Sequence, residues 1–156
     1  IMTVQNKLNK LLANAEIKDV YHVDYAVSIG RLKPKQVLQV GQFDYMWGNM
    51  LDEPLFAITD VKVAIKDIEL IGDKQNILRF YSTVQGRDIT FIKFMKGKET
   101  YEQLTNVGSR GFKKSTGDYI YLDVIGKFKI NEWKDKQYAQ IEVVDFNKKT
   151  QRVIDF

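Results

Sequence analysis

The sequence has no cysteine, and this absence excludes disulfides, cysteine-based metal sites and cysteine nucleophiles. A chain without cysteine is typical of a reducing compartment, so we expect a cytoplasmic location. Histidine is nearly absent as well, because His22 is the single one and the serines form no recognisable Ser-His pattern with it. No apolar run approaches the roughly 18 residues that a membrane helix needs. The sequence therefore predicts neither a membrane span nor a nucleophilic catalytic centre.

The chain does contain enough apolar material for a folded core. Its 156 residues are 44% hydrophobic, which is typical of one globular domain with short appendages. The 24 Lys and Arg exceed the 20 Asp and Glu, and the net charge of +4 mildly favours a polyanionic partner. Because Ile1 precedes Met2, we expect the chain to be a fragment of a longer protein.

The first third of the chain predicts helical and connecting segments. Apolar residues at helical spacing predict an amphipathic helix over 3–14, which either packs on this domain or ends a preceding one. A short extended piece follows at 18–29. Pro34 suits the first turn of a second helix, and Gly41 suits the position just after its end. We therefore take residues 1–41 as an N-terminal connecting segment, 42–55 as a linker and 56–156 as the main domain.

From residue 56 onward the hydrophobic pattern has the two-residue period of strands. Strands are predicted at 56–71, 77–84, 89–94, 119–130 and 137–146, with a short helix at 100–107. A helix between the third and fourth of five strands predicts a mainly β fold, a five-stranded OB-fold Greek-key barrel. Alternation places Phe80 inside, with Arg79 and Tyr81 outside. The alternation conflicts at Ile92 and Lys93, which a β-bulge would resolve.

Three features could carry chemistry, and each has a plainer interpretation. The first is His22, which is more typical of a structural or solvated residue than of a general base. Asp52, Glu53 and Asp60 could form a divalent-cation site, although a solvated acidic loop explains them better. The segment 108–115 is similar to a phosphate-binding loop, but a lysine occupies a position that requires glycine, so a basic loop and a solvated turn both stay open. We therefore predict no catalytic residue, no metal and no cofactor in this chain.

A mixture of basic and aromatic residues is the positive signal in the barrel region. Between residues 87 and 114, seven Lys and Arg face three Asp and Glu, a local excess of four that equals the excess of the whole chain. Cations bind phosphates, and exposed rings stack on unpaired bases. Basic barrels with surface rings also bind peptides or sugars. The candidates for nucleic-acid binding are Arg79, Tyr81, Lys93, Phe94, Lys96, Lys98 and Arg110, with Lys127, Lys129 and Lys136 as weaker ones.

Two segments carry a more specific pattern. Residues 42–56 follow a Leu-x-Pro-Phe-Gly-x-Gly-Asn-Pro-x-Pro-x-Phe stretch, with an insertion before Pro54. Residues 130–145 follow an Asn-x-Trp-x-Gly-x turn and a Gln-x-hydrophobic strand that ends in Asp. We expect Trp133 and Trp47 to pack in the core or as caps on the barrel. The matching residues are Gly48, Asn49, Pro54, Phe56, Asn131, Trp133, Gln140 and Asp145. The departures are Asp44 for Pro, Tyr45 for Phe, Met46 for Gly and Asp135 for Gly.

In this order and spacing, the two segments resemble the C-terminal OB-fold region of RecJ-type single-strand-specific DNA exonucleases. The resemblance implies a larger enzyme that degrades single-stranded DNA from the 5′ end with manganese or magnesium. The metal ligands would lie in upstream Asp-His-His domains, and the OB domain would hold the DNA strand that feeds the active site.

The resemblance also implies partners beyond single-stranded DNA, namely a single-strand-binding protein or a helicase. A basic OB groove could bind an acidic peptide tail instead of DNA. A protein-interaction module therefore stays open as the alternative function.

Overall fold

In the part of the chain that the structure describes, seven β-strands join in one sheet, and the predicted mainly β fold is confirmed. The computed structural model describes residues 20–48, 51–105 and 119–149, so the predicted helix at 3–14 and the predicted loop at 108–115 lie outside the described residues. The strands are β1 (Tyr25–Ser28), β2 (Phe56–Ala64), β3 (Glu69–Ile71), β4 (Ile77–Ser82), β5 (Gly86–Lys93), β6 (Tyr119–Trp133) and β7 (Lys136–Lys149). The helices are α1 (Pro34–Gly41) and α2 (Gly97–Thr105), and 3₁₀ turns lie at Asp44–Met46 and Ile65–Asp67. Neither described helix is long and apolar enough to cross a membrane.

The sheet curls back on itself. Its order is β1-β2-β6-β7-β5-β4-β3, so β2 and β3 lie far apart in the sheet although a single 3₁₀ turn joins them. Just past the end of β4, the N–H of Thr83 donates to the carbonyl of Lys62 in β2, at 2.8 Å. This bond joins two strands from opposite regions of the sheet order. The predicted first strand, 56–71, is therefore one long segment that bends at residues 65–67. Its first part, β2, pairs near one end of the sheet, and its second part, β3, is the last strand at the other end.

Two strands more than predicted appear, and each has a physical cause. The bend divides the predicted first strand into β2 and β3. The extended piece near residue 25 becomes β1, which pairs parallel with β2 from Tyr25–Phe56 to Ser28–Thr59. Parallel neighbours need a long crossover, and α1 lies in that connection. The predicted boundary at 42–55 stays a prediction, although Val37 of α1 is buried in the same core as the strands.

Alternate residues of the strands build the interior. Phe80, Phe91, Ile141 and Phe128 are cross-strand partners in one continuous row through β4, β5, β7 and β6, and all four are buried. The rings of Phe80 and Phe91 stack with centroids 5.0 Å apart. Because side chains alternate between the faces of a strand, the residues on either side of this row must point outward.

The register resolves the conflict at Ile92 and Lys93 without a bulge between them. Leu78 pairs with Lys93 and Arg79 pairs with Ile92 in unbroken order, and the irregularity of this hairpin lies beyond Tyr81. Lys93 therefore shares the inward face at the end of β5, where its Nζ lies 3.4 Å from the carbonyl oxygen of Val144. Ile92 is buried on the outward face, in the same row as Arg79.

The last two strands form a hairpin that is longer than predicted. The turn expected at 131–136 shrinks to Lys134 and Asp135, which both have positive φ, 50° and 60°. Two consecutive positive φ values are the geometry of a tight hairpin turn whose twist matches that of the strands. Behind the hairpin lies α1, and a Cβ added to Gly41 would come within 2.8 Å of Ile130 Cγ1 and 3.0 Å of the Lys129 carbonyl carbon. The end of α1 therefore packs directly on the backbone of β6.

Both helices are shaped by local contacts at their starts. Pro34 begins α1 as predicted, and the side chain of Gln36 accepts the N–H of Lys33 at 2.9 Å. The second helix begins at Gly97, three residues earlier than predicted. The reason is that the carbonyl of Lys96 accepts both the N–H and the hydroxyl of Thr100, at 3.0 and 2.9 Å.

We expect Gly97→Ala to destabilise the fold. A Cβ at Gly97 would lie 2.6 Å from the carbonyl carbon of Asn76 and 2.8 Å from the nitrogen of Ile77, and backbone atoms cannot move aside. The expected loss is about 1–3 kcal/mol in the free energy of unfolding, measured by urea denaturation. Gly30→Ala is the matched control, because nothing lies within 4 Å of its added Cβ. Equal stability of the two variants would contradict the tight packing at Gly97.

Candidate nucleic-acid interface

Two arginines flank a tyrosine on the outer face of the β4–β5 hairpin. The guanidinium carbons of Arg79 and Arg87 lie 5.9 and 5.1 Å from the ring centroid of Tyr81. Tyr81 and Arg79 alternate with the buried Phe80, so they point away from the core as expected. We call Arg79, Tyr81 and Arg87 the arginine–tyrosine cluster.

Arg79 is held in place by an acidic neighbour. The carboxylate of Glu69 on the adjacent strand β3 accepts from Nε and Nη2 of Arg79, at 3.0 and 2.6 Å. This hydrogen bonding raises the pKa of Arg79 above its ordinary value, more than partial burial lowers it. Glu69 offsets the charge of Arg79, so Arg87 contributes most of the positive charge beside Tyr81.

The segment after β5 presents three further candidates. Phe94 is 45% exposed, and Lys96 and Lys98 are both exposed. Met95 and Lys96 have positive φ, 67° and 54°, a conformation that costs free energy for residues with a side chain. The tight packing of Gly97 fixes the segment next to the turn between β3 and β4. Arg110, the last of the main candidates, lies outside the described residues.

Two of the weaker candidates on β6 are neutralised. Lys129 lies 2.5 Å from carboxylate oxygens of both Asp44 and Glu53, and Lys127 lies 3.1 Å from Glu53. Burial lowers the pKa of Lys129, but hydrogen bonds to Asp44 and Glu53 outweigh it and raise the pKa overall. The linker that follows α1 thus provides acids that occupy these two lysines. Lys136, the third weaker candidate, is exposed on β7.

Two of the three acids considered for a metal site, Glu53 and Asp60, pair with different lysines. Glu53 pairs with lysines of β6, whereas Asp60 pairs with Lys149 at 2.7 Å. Asp123, which is buried, accepts the N–H of Asp60 at 3.1 Å and lies 2.9 Å from Lys149. Within residues 20–48, 51–105 and 119–149, no three His, Cys, Asp or Glu side chains come together as a metal site would require. These ion pairs connect neighbouring parts of the sheet.

Trp133 corrects one expectation. Trp133 is the last residue of β6 and is 59% exposed, so it neither packs in the core nor caps the sheet. The ammonium of Lys134 lies 4.2 Å from the centroid of the indole ring. The cause is the length of the hairpin, since β6 and β7 continue past their pairing with β2 and β5 and carry the tryptophan beyond the core. Trp47, by contrast, is partly buried.

The pattern in the sequence placed Arg87 among the local cations but did not single it out. Arg87 lies in a predicted turn, and it reaches Tyr81 only because β4 and β5 pair in the folded register. The signal in the sequence that could have identified Arg87 was its position as a cation in the turn of a predicted hairpin. Glu69 had a comparable signal, because antiparallel pairing of the predicted strands 56–71 and 77–84 across their short connection places Glu69 opposite Arg79.

A curled β-sheet with basic and aromatic side chains on its outer face is typical of modules that bind oligonucleotides. The family described as RecJ OB domain matches residues 23–145, and the chain belongs to this family. The predicted resemblance is therefore confirmed.

Two relatives are 30% identical to the chain over 148 residues. They are the "Putative SPbeta prophage-derived single-strand DNA-specific exonuclease YorK" of Bacillus subtilis (strain 168) and the "Putative single-strand DNA-specific exonuclease yorK" of Bacillus phage SPbeta. The match covers 93% of this chain but 23% of each relative, so the chain spans about a quarter of their length. Among solved structures, RecJ in complex with Mn2+ from Thermus thermophilus is similar, with 15% identity and a TM-score of 0.45 over 76% of this chain and 15% of that one.

We expect Glu53→Gln to lower the free energy of unfolding by about 1–3 kcal/mol, because it removes the charged partner of two half-buried lysines. Glu69→Gln is the matched control at a more exposed ion pair, with side-chain exposures of 37% and 41% against 19% and 19% for Lys129 and Glu53. An exposed pair contributes about 0–1 kcal/mol. Urea denaturation of both variants at pH 7 measures the difference. A larger loss at Glu69 would contradict this ranking.

Proposed function

We propose that this chain is the single-stranded DNA-binding OB module of a RecJ-like 5′–3′ single-strand-specific exonuclease. Membership of the RecJ OB domain family supports the proposal, as do relatives whose names describe single-strand DNA-specific exonucleases. Because the chain spans a quarter of those relatives, the nuclease activity belongs to the parent protein in this proposal.

The sheet supports this assignment through its strand order. We interpret the bent segment β2–β3 as the first strand of an OB barrel and β4, β5, β6 and β7 as the other four. Each antiparallel pair in the sheet, and the parallel pair of β5 with β7, then matches one contact of a closed five-stranded barrel. The helix α2 lies between the third and fourth of these strands, as in OB folds.

The observation that carries the proposal is the arginine–tyrosine cluster. An aromatic ring at the surface gives an unpaired base a face to stack on, and every base has such a face. Cations beside the ring attract the phosphates that precede and follow the base. Tyr81 with Arg87 combines both functions on the outer face of a sheet, so binding is expected to depend on salt and to be tolerant of sequence.

The parent enzyme is expected to use manganese or magnesium, and the residues that the structure describes do not fit a site for such an ion. Of the carboxylates considered as ligands, Glu53 forms ion pairs with Lys127 and Lys129, and Asp60 forms one with Lys149. We therefore assign the metal chemistry to other parts of the parent protein. The role of this module is to bind and orient the DNA strand.

Fluorescence anisotropy with labelled single-stranded and duplex DNA, each at two salt concentrations, tests the proposed function. We expect tighter binding of the single strand and a marked loss of affinity at higher salt. Equal affinity for duplex would overturn the single-strand assignment. If the oligonucleotide binds weakly and a lower concentration of an acidic peptide displaces it, the result would instead favour the protein-interaction module.

We expect the double variant Lys96→Glu with Lys98→Glu to weaken single-strand binding and to flatten its salt dependence, because two phosphate contacts are lost. The slope of log K against log salt should decrease by about 1.4 for two contacts to a single strand. The matched control is Lys33→Glu with Lys35→Glu, which makes the same charge change at the same spacing on two lysines at the start of α1. If the control loses as much affinity as the test variant, the binding surface is not the segment after β5.

A further inference from the structure

The register of the sheet places a second set of aromatic residues on the face that carries Tyr81. Tyr81 pairs with Thr90, Thr90 with Gln140, and Gln140 with Lys129, so these four residues form one row across β4, β5, β7 and β6. The adjacent row, from Phe80 to Phe128, is buried. Since paired residues point to the same side of a sheet, the row of Tyr81 lies on the outer face over its whole length.

Two exposed rings lie farther along the hairpin from this row. Tyr138 is two residues before Gln140 on β7 and pairs with Asn131, and Trp133 pairs with Lys136. No register shift interrupts β6 and β7 here, so Tyr138 and Trp133 share the outward face with Tyr81. Their exposures are 39% and 59%. We call Tyr81, Tyr138 and Trp133 the aromatic track.

The spacing of the track suits a polymer that crosses the sheet diagonally. Tyr138 and Trp133 are diagonal cross-strand neighbours, about 7–8 Å apart between Cα atoms. Two strand spacings of about 4.8 Å and two residues along β7 separate Tyr81 from Tyr138. The track is therefore roughly 20 Å long and runs from the β4–β5 hairpin to the tip of the β6–β7 hairpin.

Cations accompany the far end of the track as they do the near end. The ammonium of Lys134 lies over one face of the Trp133 indole, at 4.2 Å, and Lys136 is the cross-strand partner of Trp133. Lys127 and Lys129, which lie nearer the barrel on the same face, are neutralised by Glu53 and Asp44. The positive charge that this hairpin can offer to a ligand is thus concentrated at its tip, next to the most exposed ring of the aromatic track.

The hairpin is also held in position. Gly41 of α1 packs against the β6 backbone at Lys129 and Ile130, so the helix supports the base of the hairpin tip. A two-residue turn joins the strands without a longer loop. A ring on a supported hairpin loses little conformational freedom when it stacks on a ligand.

We propose that Trp133 and Tyr138 are base-stacking residues that extend the binding site from Tyr81 to the hairpin tip, with Lys134 and Lys136 contacting the phosphates there. This inference rests on the proposed function and adds to it the path of the single strand. The strand crosses β4, β5 and β7 on their outer face and ends at the tryptophan.

Tryptophan fluorescence tests the far end of the path directly. The chain has two tryptophans, so Trp47→Phe leaves Trp133 as the single reporter. Titration of this variant with unlabelled oligothymidylate should quench the emission, because a stacked base contacts the indole. Anisotropy with labelled oligothymidylate on the same sample measures binding independently. Binding without any change in emission would overturn the path and leave the proposed function intact, whereas no binding at all would overturn the proposed function.

Alanine variants test the two rings by affinity. Trp133→Ala and Tyr138→Ala should each weaken oligothymidylate binding by about 5- to 150-fold, the usual effect of removing one stacked base. The matched control is Tyr119→Ala, since Tyr119 is 44% exposed and has the ammonium of Lys62 4.3 Å from its ring centroid, but lies at the other end of β6. The control should stay within about twofold of the unchanged chain. Losses as large in the control as in the test variants would overturn the path.

The length of DNA that the module covers gives a separate readout. Affinity of the unchanged chain should rise with oligonucleotide length and level off within the range of about 4–16 nucleotides that one OB fold covers. The Trp133→Ala variant should level off at a shorter length, because the strand loses its last contact. The same plateau length in both proteins would overturn the placement of Trp133 at the end of the path.

Discussion

One long strand segment bends and pairs on both sides of the same sheet. This constraint determines which residues form the outer surface of the protein. The segment from Phe56 to Ile71 bends at its 3₁₀ turn, and the bond from Thr83 to Lys62 ties the two regions of the sheet together. Once a sheet closes, one face of every strand must fill the interior. The outward residues then form a continuous surface, and no side chain can change face without disturbing the core.

Ion pairing decides which positive charges on that surface can reach a ligand. The acids Asp44 and Glu53 lie along the part of β6 that β2 no longer covers, and they bind Lys127 and Lys129. Glu69 engages Arg79 in the same way. The net charge of +4 therefore describes the accessible surface poorly. The distribution of positive charge on that surface depends on which lysines and arginines have acidic neighbours.

The aromatic residues are divided by the same geometry between the core and the surface. Phe80 and Phe91 stack inside, whereas Tyr81 and Trp133 lie outside with cations next to their rings. Support from α1 and a two-residue turn hold the hairpin that carries the tryptophan. The proposed binding face is thus an arrangement of rigid strands rather than of loops, which favours stacking with little loss of entropy.

The sequence alone determined the class of fold, the strands of the main domain, the start of the helix at Pro34 and the family, because hydrophobic periodicity and proline signals act over short distances. The helix includes Gly41, which the sequence placed just after its end. It also placed Arg79 and Tyr81 outside through alternation with Phe80. Only the tertiary structure decided that Lys129 is neutralised, that Trp133 is exposed and that Arg87 joins Tyr81. These outcomes depend on which distant segments become neighbours when the sheet closes, and a local pattern contains no record of such contacts.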